Sequence, residues 1–149
     1  MYRKGVSAFL FNDKKEFVLV QSTGEPDYYK IPAGGVEDNE SDELALKREM
    51  KEELDVDIEI LEKSTIIEKF DWPKYAIEHK YKQVGIRYEG QIRSIFIAKI
   101  KSNIDDIKLQ EEEVSGFVFV NKDNFVKYLK FPRQKEIMDK IISEFKDFF

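Results

Sequence analysis

The stretch from Gly34 to Val56, GGVEDNESDELALKREMKEELDV, constrains this chain more than any other. Ser41 followed by Leu44, Leu46, Met50 and Leu54 predicts a helix that starts at Glu40 or Ser41 and ends at Leu54, with an apolar stripe at i, i+4 and i+8 from Leu46. On that helix Glu49, Glu52 and Glu53 fall at i, i+3 and i+4. At about 100° per residue they stand roughly −100°, −160° and −60° from Met50, so the carboxylates share one arc of about 100° beside the stripe. A helix that buries its stripe sets this arc at the edge of the core, where like charges resist ionising without a counter-charge. Arg48 supplies one, by pairing with Glu52 or bracing Glu49. Hard divalent cations with oxygen ligands suit the remainder. Taken alone, the same glutamates also fit a solvated surface helix laced with i,i+4 pairs.

The context on either side is strand and loop. Val6 to Phe11 and Glu16 to Gln21 are β-rich runs separated by the polar turn Asn12-Asp13-Lys14-Lys15. Tyr28 to Ile31 predicts a short strand that enters a loop, Pro32-Ala33-Gly34-Gly35, whose glycines permit positive φ and close backbone approach. Ile58 to Phe70, Gln91 to Ile100 and Gly116 to Val120 read as further strands. Between the first two of these lies an aromatic, basic loop, DWPKYAIEHKYKQVGIRYEG, long enough to suggest function or mobility. Asn121 to Leu129 predicts a short helix. A last helix opens at Pro132 and carries Ile137, Ile141 and Phe145 on one stripe, with Met138 and Ile142 beside it. Strands mixed with two or three helices predict one domain over residues 1–149, a sheet covered by helices on both faces.

Composition removes several classes of function. With 12 Phe, 7 Tyr and 1 Trp the chain has ample means to bury surface. A net charge of −5 excludes broad electrostatic wrapping of nucleic acid but not a local basic groove. The absence of Cys excludes disulfides, thiolate chemistry and Cys-built zinc sites, and the single His79 argues against a His-rich metal site. No apolar run approaches the ~20 residues of a membrane-spanning helix, and no cleavage site follows the N-terminal apolar stretch, so a cytoplasmic location is expected.

The spacing within the glutamate segment is specific. Gly34 is followed by five residues, Glu40, seven residues, Arg48-Glu49-Met50, one residue, Glu52-Glu53, one residue, Asp55 and Val56. This resembles the Nudix box, G-x5-E-x7-R-E-U-x-E-E-x-G-U, where U is a bulky aliphatic residue. Every fixed position matches except Asp55, which stands where the family has Gly. That position is the helix exit, where a left-handed residue is favoured and Asp is tolerated. The resemblance implies an α+β fold, the Nudix-type α/β/α sandwich with a mixed β-sheet. It implies Mg²⁺ or Mn²⁺ held by Glu49, Glu52 and Glu53 with the backbone of Gly34, and Arg48 and Glu40 orienting those ligands. Glu52, Glu53 and Arg48 are accordingly expected to take part in catalysis. The family reaction is attack of water on phosphorus in an X-linked nucleoside diphosphate. A further carboxylate is expected from Glu113, or second from Glu112, because E-V-S-G-F-V-F-V looks like the family stretch E-F-x-x-W-x-W-V; a solvated acidic turn is the competing reading.

Shorter similarities point to one branch. Tyr2-Arg3-Lys4-Gly5-Val6, Tyr88-Glu89-Gly90-Gln91 and Phe131-Pro132-Arg133 look like the Y-R-x-x-V, [YW]-x-G-Q and F-K-R segments of RNA 5′-pyrophosphohydrolases and dinucleoside polyphosphate hydrolases. Ala33 replaces the Gln of the usual P-Q-G-G, and Pro132 the lysine of F-K-R. The expected substrate is a nucleoside 5′-polyphosphate, foremost a diadenosine polyphosphate or a 5′-triphosphorylated RNA end. Cleaning of the (d)NTP pool, nucleotide-sugar cleavage and non-hydrolytic nucleotide sensing are the alternatives. No membrane and no obligate protein partner are implied. Arg3, Lys74, Lys80, Lys82 and Arg133 are candidate phosphate contacts. Tyr75, Tyr81, Tyr88 and Phe131 are candidate base-stacking residues. Plain surface or core placement is the alternative for each, and Trp72 and His79 are expected to be a loop anchor and a surface residue.

Overall fold

The computed structural model describes residues 1–22, 28–102, 108, 114–129 and 132–148. Alternation of apolar side chains builds its centre. In β1 (Tyr2–Phe11) Val6, Ala8 and Leu10 point to one face, and Phe9 and Phe11 to the other. Every second residue of a strand shares a face, so one buried strand feeds two cores. β2 (Phe17–Ser22) splits the same way, with Val18 and Val20 in the first core and Phe17 and Leu19 in the second. The β1–β2 turn is held by Asn12, whose Oδ1 accepts from the backbone N–H of Lys14 at 3.0 Å and of Glu16 at 2.9 Å.

The sheet runs β3 (Tyr29–Lys30), β2, β1, β6 (Gly90–Ile100), β5 (Ile58–Asp71). β4 (Ala33–Gly35) joins β1 and β7 (Val114–Val120) joins β2. β1 and β6 are parallel and the other pairs antiparallel, so the sheet is mixed. Helix α1 (Asp42–Leu54) covers the first core with Leu46, Met50 and Leu54. The second core lies under α3 (Lys122–Phe125) and α4 (Pro132–Glu144), through Phe125, Met138 and Ile141, with Phe145 just beyond α4. The fold is α+β, a sheet between helical layers, as expected.

Three local expectations change. Pro32 to Gly35 is not a simple loop: Ala33, Gly34 and Gly35 form β4, paired with Ser7, Val6 and Gly5 of β1. None of its residues has positive φ, so the role of Gly34 is close approach rather than a left-handed turn. Leu44 is 60% exposed and stands off the buried stripe. The long aromatic loop contains an eleven-residue helix, α2 (Lys74–Val84), closed by Gly85 at φ 74°. No α2 residue is buried, so no apolar stripe announces the helix in the sequence. Pro73 before its first turn and Gly85 after its last were the available signals.

Candidate active site

The helix that carries the glutamates is positioned by both of its ends. Ser41 caps the N-terminus, its Oγ accepting from the Leu44 N–H at 3.2 Å. Asp55 ends the helix at φ 56°, in the left-handed conformation its place in the motif requires. Lys51 Nζ lies 3.3 Å from the Asp55 carboxylate.

Arg48 organises the acidic arc. Its Nε and Nη2 donate to the two oxygens of Glu40 at 2.8 and 2.9 Å, a bidentate fork. Nη2 also donates to the Gly35 carbonyl at 2.9 Å, fastening α1 to β4. Nη1 donates to Glu49 at 3.0 Å and Glu52 at 3.2 Å. The Arg48 hydrogen bonds, with the Glu37 N–H, hold the Glu40 carboxyl down to about 2. Reciprocally, the Glu40 hydrogen bond raises the Arg48 guanidinium above its usual value against the opposing effect of burial.

Glu49 and Glu53 are only 9% and 6% exposed. A Cβ at Gly34 would overlap the Glu49 carboxyl, so glycine is what lets the β4 backbone meet that group. Glu49, Glu53 and Gly34 line a cavity of about 350 Å³. Arg3, Lys30, Lys80 and Arg93 also line it, as does Gln91. A protein of net charge −5 thus gathers four cations around two carboxylates, a distribution suited to an anion held against a metal. The parallel register places Arg3 beside Gln91, so the β1–β6 pairing assembles this wall.

The Arg93 side chain is only 20% exposed. Its Nε donates to Gln91 Oε1 at 3.2 Å, its Nη1 lies 3.5 Å from Glu68, and its guanidinium sits 4.8 Å from the Phe70 ring centre. Burial lowers its pKa, opposed by the carboxylates of Glu68 and Glu53. Sequence reading passed over Arg93, because a lone arginine in an apolar strand has no local pattern; its position two residues beyond the Y-x-G-Q segment was the available signal.

The other expected site residues divide by place. Arg3 and Lys80 line the cavity. Glu52 is not among its lining residues; half exposed, it turns towards Arg48. Accordingly, no three acidic or imidazole side chains close on one point among the described residues. Lys74 and Lys82 are exposed on α2, outside the cavity lining. Tyr81 packs beneath Arg87, 4.4 Å from its guanidinium. Tyr88 contacts Trp72 edge-on, ring centres 6.4 Å apart, and borders a neighbouring cavity that shares Arg3 with the first. Glu112, Glu113 and Phe131 lie outside the described residues, as does the side chain of Arg133 in the first turn of α4.

Fold comparison points the same way as the site. A C. elegans Ap4A hydrolase superposes with a TM-score of 0.68 at 20% identity, over 97% of this chain and 99% of that one. An E. coli dihydroneopterin triphosphate pyrophosphohydrolase superposes at 0.71 with 17% identity, over 97% and 99%. These likenesses define the class as a Nudix-fold sandwich. The NUDIX domain pattern matches residues 1–144, and the chain belongs to the Nudix family of hydrolases, which act on pyrophosphate bonds. An RNA pyrophosphohydrolase of Nitratiruptor sp. is 31% identical over 147 residues, 93% of this chain and 92% of that protein.

Proposed function

We propose that this chain is a single-domain, Mg²⁺- or Mn²⁺-dependent pyrophosphohydrolase of nucleoside 5′-polyphosphates, with diadenosine polyphosphates and 5′-triphosphorylated RNA ends as its foremost substrates. The observation that carries the reading is the cavity in which Glu49, Glu53 and Gly34 face Arg3, Lys30, Lys80 and Arg93. Its donor set on the acidic side is oxygen only, which fits a hard divalent cation. The overlap a Cβ at Gly34 would cause with Glu49 fits a place where backbone and carboxylate serve one ion. Glu49, Glu53 and Gly34 would hold the metal. Glu52, half exposed and paired with Arg48, would be the third carboxylate to hold it. When bound, the ion supplies charge neutralisation at phosphorus and acidifies a water.

The chain's own residues do the rest. Arg3, Lys30, Lys80 and Arg93 bind and orient the phosphate oxygens by charge-assisted hydrogen bonds. Arg48 and Glu40 keep Glu49 aimed at the cavity, so the geometry exists before substrate arrives. Glu53, buried beside the cavity, is the group placed to accept the proton of the attacking water, with Glu113 the further carboxylate for that role. The RNA pyrophosphohydrolase and Ap4A hydrolase names of its relatives support this substrate class.

A panel of diadenosine tetraphosphate, triphosphorylated RNA, dNTPs and ADP-ribose with Mg²⁺, products resolved after reaction in ¹⁸O-water, tests the reading. Metal-dependent release from the first two at the highest kcat/KM is expected. Metal-independent turnover, or tight nucleotide binding with no hydrolysis anywhere in the panel, overturns it.

A further inference from the structure

In β5 the side chains alternate: Thr65, Ile67 and Lys69 are exposed, while Ile66, Glu68 and Phe70 are half-buried on the opposite face, where Ile66 packs on the second core. A carboxylate in that inward row needs a partner, because burying an unpaired charge is costly. The antiparallel register sets Glu68 directly across from Arg93, whose Nη1 lies 3.5 Å from it. The same register sets Phe70 across from Gln91. Carboxylate, ring face and amide thus bound the guanidinium. Gln91 is placed in turn by Gly5, since a Cβ there would overlap its amide. Arg93 and Gln91 line the carboxylate cavity, and Glu68 is not among the lining residues. Glu68 therefore stands behind a cation that faces the cavity.

We propose that Glu68 is a positioning residue: by pairing with Arg93 from the next strand it aims the guanidinium at the phosphate chain. This deepens the proposed function and rests on it. Two carboxylates support the Arg93 charge against burial, Glu68 ahead of Glu53. Glu53 is given to the metal in the proposed function, so Glu68 is the one left to Arg93. A guanidinium grips phosphate through a planar fork, and the fork serves only when its direction is fixed. Held from behind, Arg93 loses less side-chain freedom when the anion arrives.

The sign of the effect separates this role from that of a bystander. Glu68 is an acid beside an anion site, so its field alone opposes binding, and Glu68→Gln would tighten it. A positioning role predicts the reverse. Binding of a methylene-bridged, non-hydrolysable ATP analogue with Mg²⁺ is followed by calorimetry, and thermal melts check that each variant folds. Glu68→Gln is expected to weaken binding about tenfold, the size of one hydrogen bond to a charged group. Glu68→Asp keeps the charge and draws it back by one methylene; binding should fall several-fold, where a field effect would leave it unchanged. That variant decides the matter where Glu68→Gln does not fold. In an Arg93→Gln background the loss from Glu68→Gln should vanish, because a residue that acts through Arg93 has no role without it. Glu68 variants that bind as well as the parent, or a loss that persists without Arg93, overturn this inference and leave the cavity reading standing. A parent protein that does not bind the analogue overturns both.

Discussion

Among single residues, Glu53 stands at the cavity and Glu40, ahead of the helix, stands against Arg48. Glu53 is 6% exposed at the cavity wall, and Glu53→Gln keeps its shape while removing its charge and basicity. Turnover should fall about 10²-fold or more, the usual size of a lost general base, with the unfolding midpoint little changed. Normal hydrolysis by that variant would exclude Glu53 from the chemistry. Glu40 instead acts through Arg48. Its carboxyl is held at about 2, against an ordinary 4.5. An acid depressed in the folded state contributes stability above its unfolded pKa and loses it as pH falls through its folded value. The Glu40–Arg48 contribution is therefore complete above about 4.5 and drains away down to about 2. Glu40→Gln should flatten the acid limb of melting temperature against pH in that window, a change that parallel thermal melts would detect. The left-handed Asp55 was legible from the motif alone, because the helix exit is a local property.

Between elements, contacts of β5 with α4 tie the outer strand to the helical layer. Glu144 at the end of α4 accepts from the Thr65 N–H and the Ser64 hydroxyl, each at 2.7 Å, where the β5–β6 register shifts between Lys63 and Ile67. Burial works against its ionisation, but these donors outweigh it and hold the carboxyl below its usual value. Glu144→Ala frees both donors and should cost about 1 kcal/mol, a modest sum because the carboxylate is exposed. Denaturant unfolding measures it, and an unchanged midpoint would show that the contact carries no stability. The α1 stripe was readable from its helical period, and β1 and β2 from continuous β-rich apolar runs, because α1 buries one face and the two strands bury both. Helix α2 was not, because it buries none.

Across the whole molecule, the packing of α1 on the sheet puts the carboxylate cavity at the junction of β1, β4, β6 and α1. No helix among the described residues is long and apolar enough to cross a membrane. A cation that binds only the folded arrangement of that junction stabilises the entire fold by mass action. At a hundredfold excess over Kd the gain is about 2.7 kcal/mol. For a chain of this size that corresponds to a rise in Tm of about 5–10 °C. Mg²⁺ or Mn²⁺ should produce such a rise in the parent protein and little of it in Glu53→Gln. A melting temperature indifferent to both ions would show that the buried carboxylates hold no metal.

The chain by itself determined what neighbouring residues settle: where the box helix starts and stops, which glutamates share its arc, and that the β-rich runs on either side of the Asn12 turn are strands. Those are consequences of the helical period, of β-propensity and of local capping. Tertiary structure decided the rest. It turned Ala33–Gly35 into a strand, and through the parallel β1–β6 register brought Arg3 beside Gln91 on the cavity wall that Arg93 shares. It kept Glu52 off the cavity lining that Glu49 and Glu53 share, while one arginine bridges Glu52 to Glu49. Partners distant in sequence meet only when sheet register and helix packing fix their positions, and no periodicity within a single segment encodes that meeting.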